Sequence, residues 1–149
     1  MRLAIQLSEE NVQNGGGPFG AVIAKDGEVV ATGVNRVTAN NDPTAHAEVS
    51  AIRAACRKLK DFKLDGCVVY SSCEPCPMCL SALYWAGISK IYYANTKDDA
   101  KEINFDDSFI YEQFLLQRSE RSIPSEQLMR QEAQKAFEMW RLKEDKTEY

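Results

Sequence analysis

The chain's single histidine, His46, stands two residues before Glu48 in the run Pro43-Thr44-Ala45-His46-Ala47-Glu48. Thirty residues further on, Glu74-Pro75-Cys76-Pro77-Met78-Cys79 sets two thiols three positions apart. At the start of a helix, side chains at i and i+3 project the same way, and the positive helix end favours thiolate over thiol. The same field disfavours imidazolium and keeps His46 neutral, as a metal ligand must be. One imidazole and two thiolates make three protein ligands, so a tetrahedral ion keeps its fourth position open. That is the pattern of catalytic zinc, whereas structural zinc is usually closed by a fourth side chain. The expectation is one Zn2+ per chain held by His46, Cys76 and Cys79, with water or hydroxide as fourth ligand. Glu48 supplies the remaining part, because a carboxylate beside zinc-bound water can take its proton and pass it to a leaving nitrogen. One geometric condition applies: positions i and i+2 diverge by about 200° in a regular helix, so His46 and Glu48 converge only where the helix is just beginning.

Other readings of the same residues compete with this one. A C-x-x-C pair can be a redox dithiol, but His46 and Glu48 would then have no role. Cys73 lies three residues before Cys76 and could close a structural site of three thiolates and one imidazole. The expectation is instead that Cys73 ends a strand and Pro75 turns the chain away. Cys56, on an apolar helix face, and Cys67, heading an apolar strand, are expected in the core.

These residues must be positioned by recognisable elements. Residues from Arg2 to about Asn14 read as a short helix stopped at Gly15-Gly16-Gly17-Pro18. Phe19 to Lys25 and Glu28 to Val34 are strand-like runs joined by Asp26-Gly27, a type I′ hairpin signal. Asp42-Pro43 is expected to open a helix, with Val49, Ile52, Cys56 and Leu59 as its apolar face. Cys67 to Ser71 reads as a buried strand, followed by a helix from about Pro77 to Ala86 that ends at Gly87. Ile91 to Ala94 is the next strand, and the alternation predicts an α/β sheet with parallel pairing. Beyond Thr96 the chain turns polar and helical, with Met129, Ala133, Ala136, Phe137 and Trp140 as a stripe to be packed on the sheet or on a partner.

The 149 residues suit one domain, and 44% hydrophobic with 27% charged residues is ordinary globular usage. The longest apolar runs, such as Ala82–Ala86, are far short of the roughly 20 residues a membrane span needs. Nothing near the N-terminus reads as a secretory signal, so a soluble, cytoplasmic protein with no membrane partner is expected. Three of the five cysteines crowd into Cys73–Cys79, which points to a reducing compartment rather than a disulfide scaffold. The net charge of −4 weighs against nucleic-acid binding, as do seven basic and seven acidic residues balanced from Arg118 to Tyr149.

His46-Ala47-Glu48 followed by Pro75-Cys76-Pro77-Met78-Cys79 resembles the H-x-E…P-C-x-x-C signature of the zinc-dependent cytidine deaminase superfamily. Gly16-Gly17-Pro18-Phe19-Gly20, Asn41-Asp42-Pro43-Thr44, the segment Ser72 to Ala86, Phe105-Asp106-Asp107-Ser108-Phe109 and the terminal Glu148-Tyr149 are similar to bacterial guanine deaminases. The resemblance implies a cytidine deaminase-like α/β fold, three-layer α/β/α with a five-stranded mixed sheet, in one domain over residues 1–149. It also implies a homodimer in which the helical tail, about residues 119–149, is exchanged so that its last residues cover the partner's site. Carried over by position, Asn35 and Asp107 would bind the purine edge, Phe19 would stack on the ring, Ala47 would line the pocket and Tyr149 the lid. Asp107 would share proton traffic with Glu48. The implied activity is hydrolysis of guanine to xanthine and ammonia.

Taken without the resemblance, these positions have plainer roles: Asp106-Asp107 as a helix cap, Asn35 as a turn residue, Phe19 in the core, Tyr149 as a loose terminus. Two alternatives for the whole chain stand beside the guanine reading. One is deamination of tRNA adenosine, guanosine or cytosine. The other is a zinc-stabilised binding module without catalysis, which would need neither Glu48 nor an open metal position.

Overall fold

Asp26 and Gly27 both adopt positive φ, 51° and 83°, and this type I′ turn joins β1 (Gly20–Lys25) to β2 (Glu28–Val34) as an antiparallel hairpin. On its other side β1 pairs antiparallel with β3 (Cys67–Cys73), and β3 pairs parallel with β4 (Lys90–Asn95), giving the order β2-β1-β3-β4. The computed structural model describes residues 1–148; the lid role expected of Tyr149 falls outside the described residues. The chain forms two compact units, one over Met1–Ser108 and a second from Phe109 onward.

In the first unit, helices cover both faces of the sheet. On one side lies α1 (Arg2–Gln13), and the short α2 (Val37–Asn40) follows β2. A methyl group at Gly20 would meet Ala4 O at 2.5 Å and Ser8 N at 2.8 Å, so α1 lies directly on the sheet there. On the other side lies α3 (Ala47–Leu59), and a methyl group at Gly33 would meet Ala47 O at 2.2 Å and Ala51 N at 2.5 Å. Gly33 pairs with Ala21 and Gly20 with Val34, so the two glycines face opposite ways. The α3 face carries the tightest packing: Ala21, Ile23, Cys67, Val69 and Leu83 are buried, the last on α4 (Pro77–Trp85).

Three expectations are corrected. The sheet has four strands among the described residues, not five. After β4, Thr96 and Asp99 form a reciprocal capping box that starts α5 (Lys97–Glu102), and Ser108 then opens α6 (Ser108–Leu115), so the chain runs on as helix. The second correction concerns Asp42-Pro43, which does not begin α3. Asp42 Oδ1 accepts from the Thr44 amide at 2.8 Å and the Thr44 hydroxyl at 2.7 Å, holding a turn, and the helix starts at Ala47. Finally, the face of α3 that meets the sheet is Ala47, Ala51 and Ala55, all fully buried. Ile52 and Cys56 pack at its margin and Leu59 is exposed. Only small side chains allow the approach that Gly33 permits.

In the second unit, α7 (Arg130–Leu142) carries the expected stripe, but none of its residues is buried: Phe137 is 73% and Trp140 43% exposed. No helix among the described residues is long and apolar enough to cross a membrane.

Because the methyl group of Gly33→Ala would strike helix backbone rather than a movable side chain, about 3 kcal/mol of destabilisation is expected. The displaced start of α3 should also weaken metal binding through His46. Thermal melts and metal titration check both; a variant matching the parent in each would disprove the tight α3–β2 contact.

Candidate active site

The two long helices of the first unit that follow β2 and β3 begin in the same way. His46 is the N-cap of α3 (φ −69°, ψ 161°) and Cys76 the N-cap of α4 (φ −62°, ψ 168°), both extended rather than helical. Their carbonyls accept the first intrahelical bonds, from Ser50 N at 2.9 Å and Leu80 N at 2.8 Å. An extended N-cap frees His46 from the rotation of a regular helix, which removes the obstacle to its meeting Glu48. Both reach Cys79, His46 with its Nδ1 3.5 Å from the sulfur and Glu48 within electrostatic reach of it.

His46 Nδ1 lies 3.5 Å from Cys76 Sγ and 3.5 Å from Cys79 Sγ. A tetrahedral zinc ion with ordinary bond lengths requires an N···S separation of about 3.5 Å. The ligand atoms of the triad all lie within 4.8 Å of one another. Donor type, number and spacing therefore fit zinc, with three ligands from the chain. Cys73, the candidate fourth, is turned away: its thiol lies 3.5 Å from Thr96 O, and burial pushes its pKa up to about 11. Cys67 is fully buried, as expected, whereas Cys56 is only half-buried.

The electrostatics suit a cation. Hydrogen bonding with Cys79 and with His46 holds the Cys76 thiol down to about 4. The Cys76 sulfur and burial push Cys79 the other way, since two thiolates side by side repel without a positive charge between them. Cys76 also raises the pKa of His46. Glu48 is buried, and burial raises its pKa, against hydrogen bonds from its own amide, Ser71 and Cys79.

Asn35, Phe19, Ala47 and Asp107 gather at the same end of the sheet, where β2 and β3 end and β1 begins. Asn35 follows β2 and donates its backbone N–H to Phe19 O at 3.1 Å. The Phe19 ring meets Phe105 edge-on at 4.9 Å, on the segment that leads to Asp107. Ala47 is fully buried at the first turn of α3. Asp106 and Asp107 divide the tasks that the sequence left joined. Asp106 accepts from the Ser108 amide at 3.0 Å, at the start of α6, and pairs with Lys101 at 3.0 Å, so its carboxylate is engaged locally. Asp107 is left half-buried within electrostatic reach of His46 and Cys76, its pKa raised by burial and by the Cys76 charge.

Two contributors were not singled out from sequence. The buried Asn11 donates both amide hydrogens, to Gly17 O at 2.8 Å and Asn35 O at 2.9 Å, tying α1 to the loops that carry Phe19 and Asn35. Ser71 donates to Glu48 Oε1 at 2.9 Å. The one available signal for Ser71 is a pair of hydroxyls, Ser71-Ser72, ending an otherwise apolar strand.

Residues 1–95 match the family model described as the cytidine and deoxycytidylate deaminase zinc-binding region. The chain belongs to this deaminase family. Its fold is that family's α/β fold, and His46, Cys76 and Cys79 lie together as a group that could hold the metal. Similarity to one branch extends further. Guanine deaminase of Bacillus subtilis is 51% identical over 150 residues, covering 100% of this chain and 96% of the relative. Its crystal structure superposes with a TM-score of 0.96 at 52% identity, covering 99% of this chain and 95% of that one. The tRNA-specific adenosine deaminase of Aquifex aeolicus is 39% identical over 94 residues, covering 63% of this chain and 62% of the relative.

Metal analysis of purified protein is expected to find about one zinc per chain in the parent and in Cys73→Ala, and close to none in Cys76→Ala. Full zinc in Cys76→Ala, or its loss in Cys73→Ala, would reverse the ligand assignment.

Proposed function

We propose that this deaminase hydrolyses guanine to xanthine and ammonia. The observation that carries the reading is the 51% identity to a guanine deaminase along the entire chain, which includes the segments beyond the zinc-binding region. The tRNA deaminase likeness spans only 63% of the chain, and the balanced charge of the C-terminal part offers no basic surface for RNA.

Zinc held by His46, Cys76 and Cys79 would supply Lewis acidity, drawing the pKa of a water toward about 7. The chain's own groups do the rest. Glu48 accepts the proton of the attacking water and delivers it to the ring nitrogen next to the carbon that bears the amine. The water oxygen bonds to that carbon. Glu48 then carries the second proton, from the new hydroxyl, to the amine, and the carbon–nitrogen bond breaks to release ammonia and leave the carbonyl of xanthine, with Asp107 sharing that transfer. Burial suits Glu48 to the task, because a desolvated carboxylate holds its proton closer to neutral pH. Asn35 and Asp107 would hold the purine edge, Phe19 would stack on the ring, and Ala47 would line the pocket at the start of α3.

The same reading takes residues 1–149 as one domain acting in a homodimer that exchanges its C-terminal tail. The exposed Phe137, Met139, Trp140 and Leu142 of α7 support it, since a helix with so much apolar surface gains by being covered. Five free cysteines, two of them proposed metal ligands, suit the reducing cytoplasm.

Zinc-loaded protein is expected to release ammonia from guanine in preference to guanosine, adenine, cytosine and cytidine. Preference for another member of the panel would replace guanine as the substrate, and silence on all five would favour a binding module. Glu48→Gln should keep its zinc and lose about 10²–10⁴-fold in kcat; undiminished turnover would remove Glu48 from proton transfer.

A further inference from the structure

We infer that Ser71 is a positioning residue for Glu48, a step that rests on the deaminase reading of the site. Glu48 sits at the second position of α3, and Ser71 lies on β3, which runs beneath it. In the register of the sheet Ser71 pairs with Ala21, and Ala21 pairs with Gly33, so Ser71 points to the face that α3 covers. Its hydroxyl donates to Glu48 Oε1 at 2.9 Å, and both residues are buried. Bulk water therefore has little part in setting the orientation of this carboxylate.

The Cys79 sulfur also lies within electrostatic reach of Glu48. Cys79 is also a metal ligand in the proposed site, and a ligating cysteine is a thiolate with no hydrogen to give. With metal in place, the Ser71 hydroxyl remains as the side chain that fixes the carboxylate. Occupying Oε1 leaves Oε2 as the more basic oxygen, so the travelling proton has one defined carrier atom. A carboxylate free to rotate would present either oxygen and spend part of its time misaligned.

The experiment compares the zinc-loaded parent with Ser71→Ala and Ser71→Thr on whichever substrate of the panel the parent turns over. Parent activity on guanine thus tests the substrate assignment separately. Ser71→Ala is expected to lose about 10- to 100-fold in kcat, with KM within about twofold and xanthine affinity and zinc content unchanged. Its solvent deuterium isotope effect on kcat should rise, because proton transfer becomes slower relative to the other steps. Ser71→Thr keeps the hydroxyl and should recover most of the rate. A Ser71→Ala variant within threefold of the parent and with the parent's isotope effect overturns the inference. So does a folded, zinc-loaded Ser71→Thr that is as slow as Ser71→Ala. Should threonine prevent folding, the isotope effect on Ser71→Ala decides by itself.

Discussion

Two helices point their N-termini at one spot, and the rest of this site follows from making that tolerable. The free N–H groups at each helix start amount to about half a positive charge, and α3 and α4 bring two such ends together, their N-cap side chains His46 and Cys76 3.5 Å apart. Negative charge must accumulate there. Cys76 supplies it at the N-cap of α4, Cys79 and Glu48 stand beside it and gain charge when a cation is present, and Asp107 is a further carboxylate from outside the two helices. A cation then balances a cluster of anions that the helix ends alone would only partly offset.

The same arrangement keeps the metal site open. An N-cap side chain can lean across the helix end instead of radiating from its cylinder, and both His46 and Cys76 are N-caps. Cys79, one turn further in, is the one member of the proposed triad placed by helical geometry proper. Between strand and helix, Glu74-Pro75 carries the chain past the end of β3 and leaves Cys73 bonded to the Thr96 carbonyl. The proposed triad thus stands without the fourth sulfur, which the turn carries away.

Much of this was legible in the residues. The Asp26-Gly27 hairpin, the four strand-like runs, the triad and its carboxylate all follow from local chemistry, and those four runs are the strands observed. The fifth strand came with the family likeness rather than from any β-rich run after Asn95, and the Thr96–Asp99 capping box committed that stretch to helix. What stayed illegible depends on distances across the fold. Apolar periodicity favoured Val49, Ile52, Cys56 and Leu59, while the face actually buried is alanine, since Gly33 lets a helix backbone lie on the strand. Asn11 and Ser71 look like ordinary polar residues until the elements opposite them are known. Asp106 and Asp107 could be told apart only once Lys101 and Ser108 had claimed the former.

The site draws on residues 11, 19, 35, 46, 48, 71, 76, 79 and 107, and its frame depends on β1 pairing with β3, where Gly20 bonds to Ser72 across a sequence separation of 52. Such non-local pairing is slow to search, because loop-closure entropy must be overcome before the contact gives any return. The β1–β2 hairpin can form early as the chain emerges from the ribosome, but His46 has no sulfur partners until Cys79 has been synthesised and β3 has slotted in beside β1. An ion held by the proposed triad would consequently be acquired late in folding, and its capture would report that the central sheet has closed.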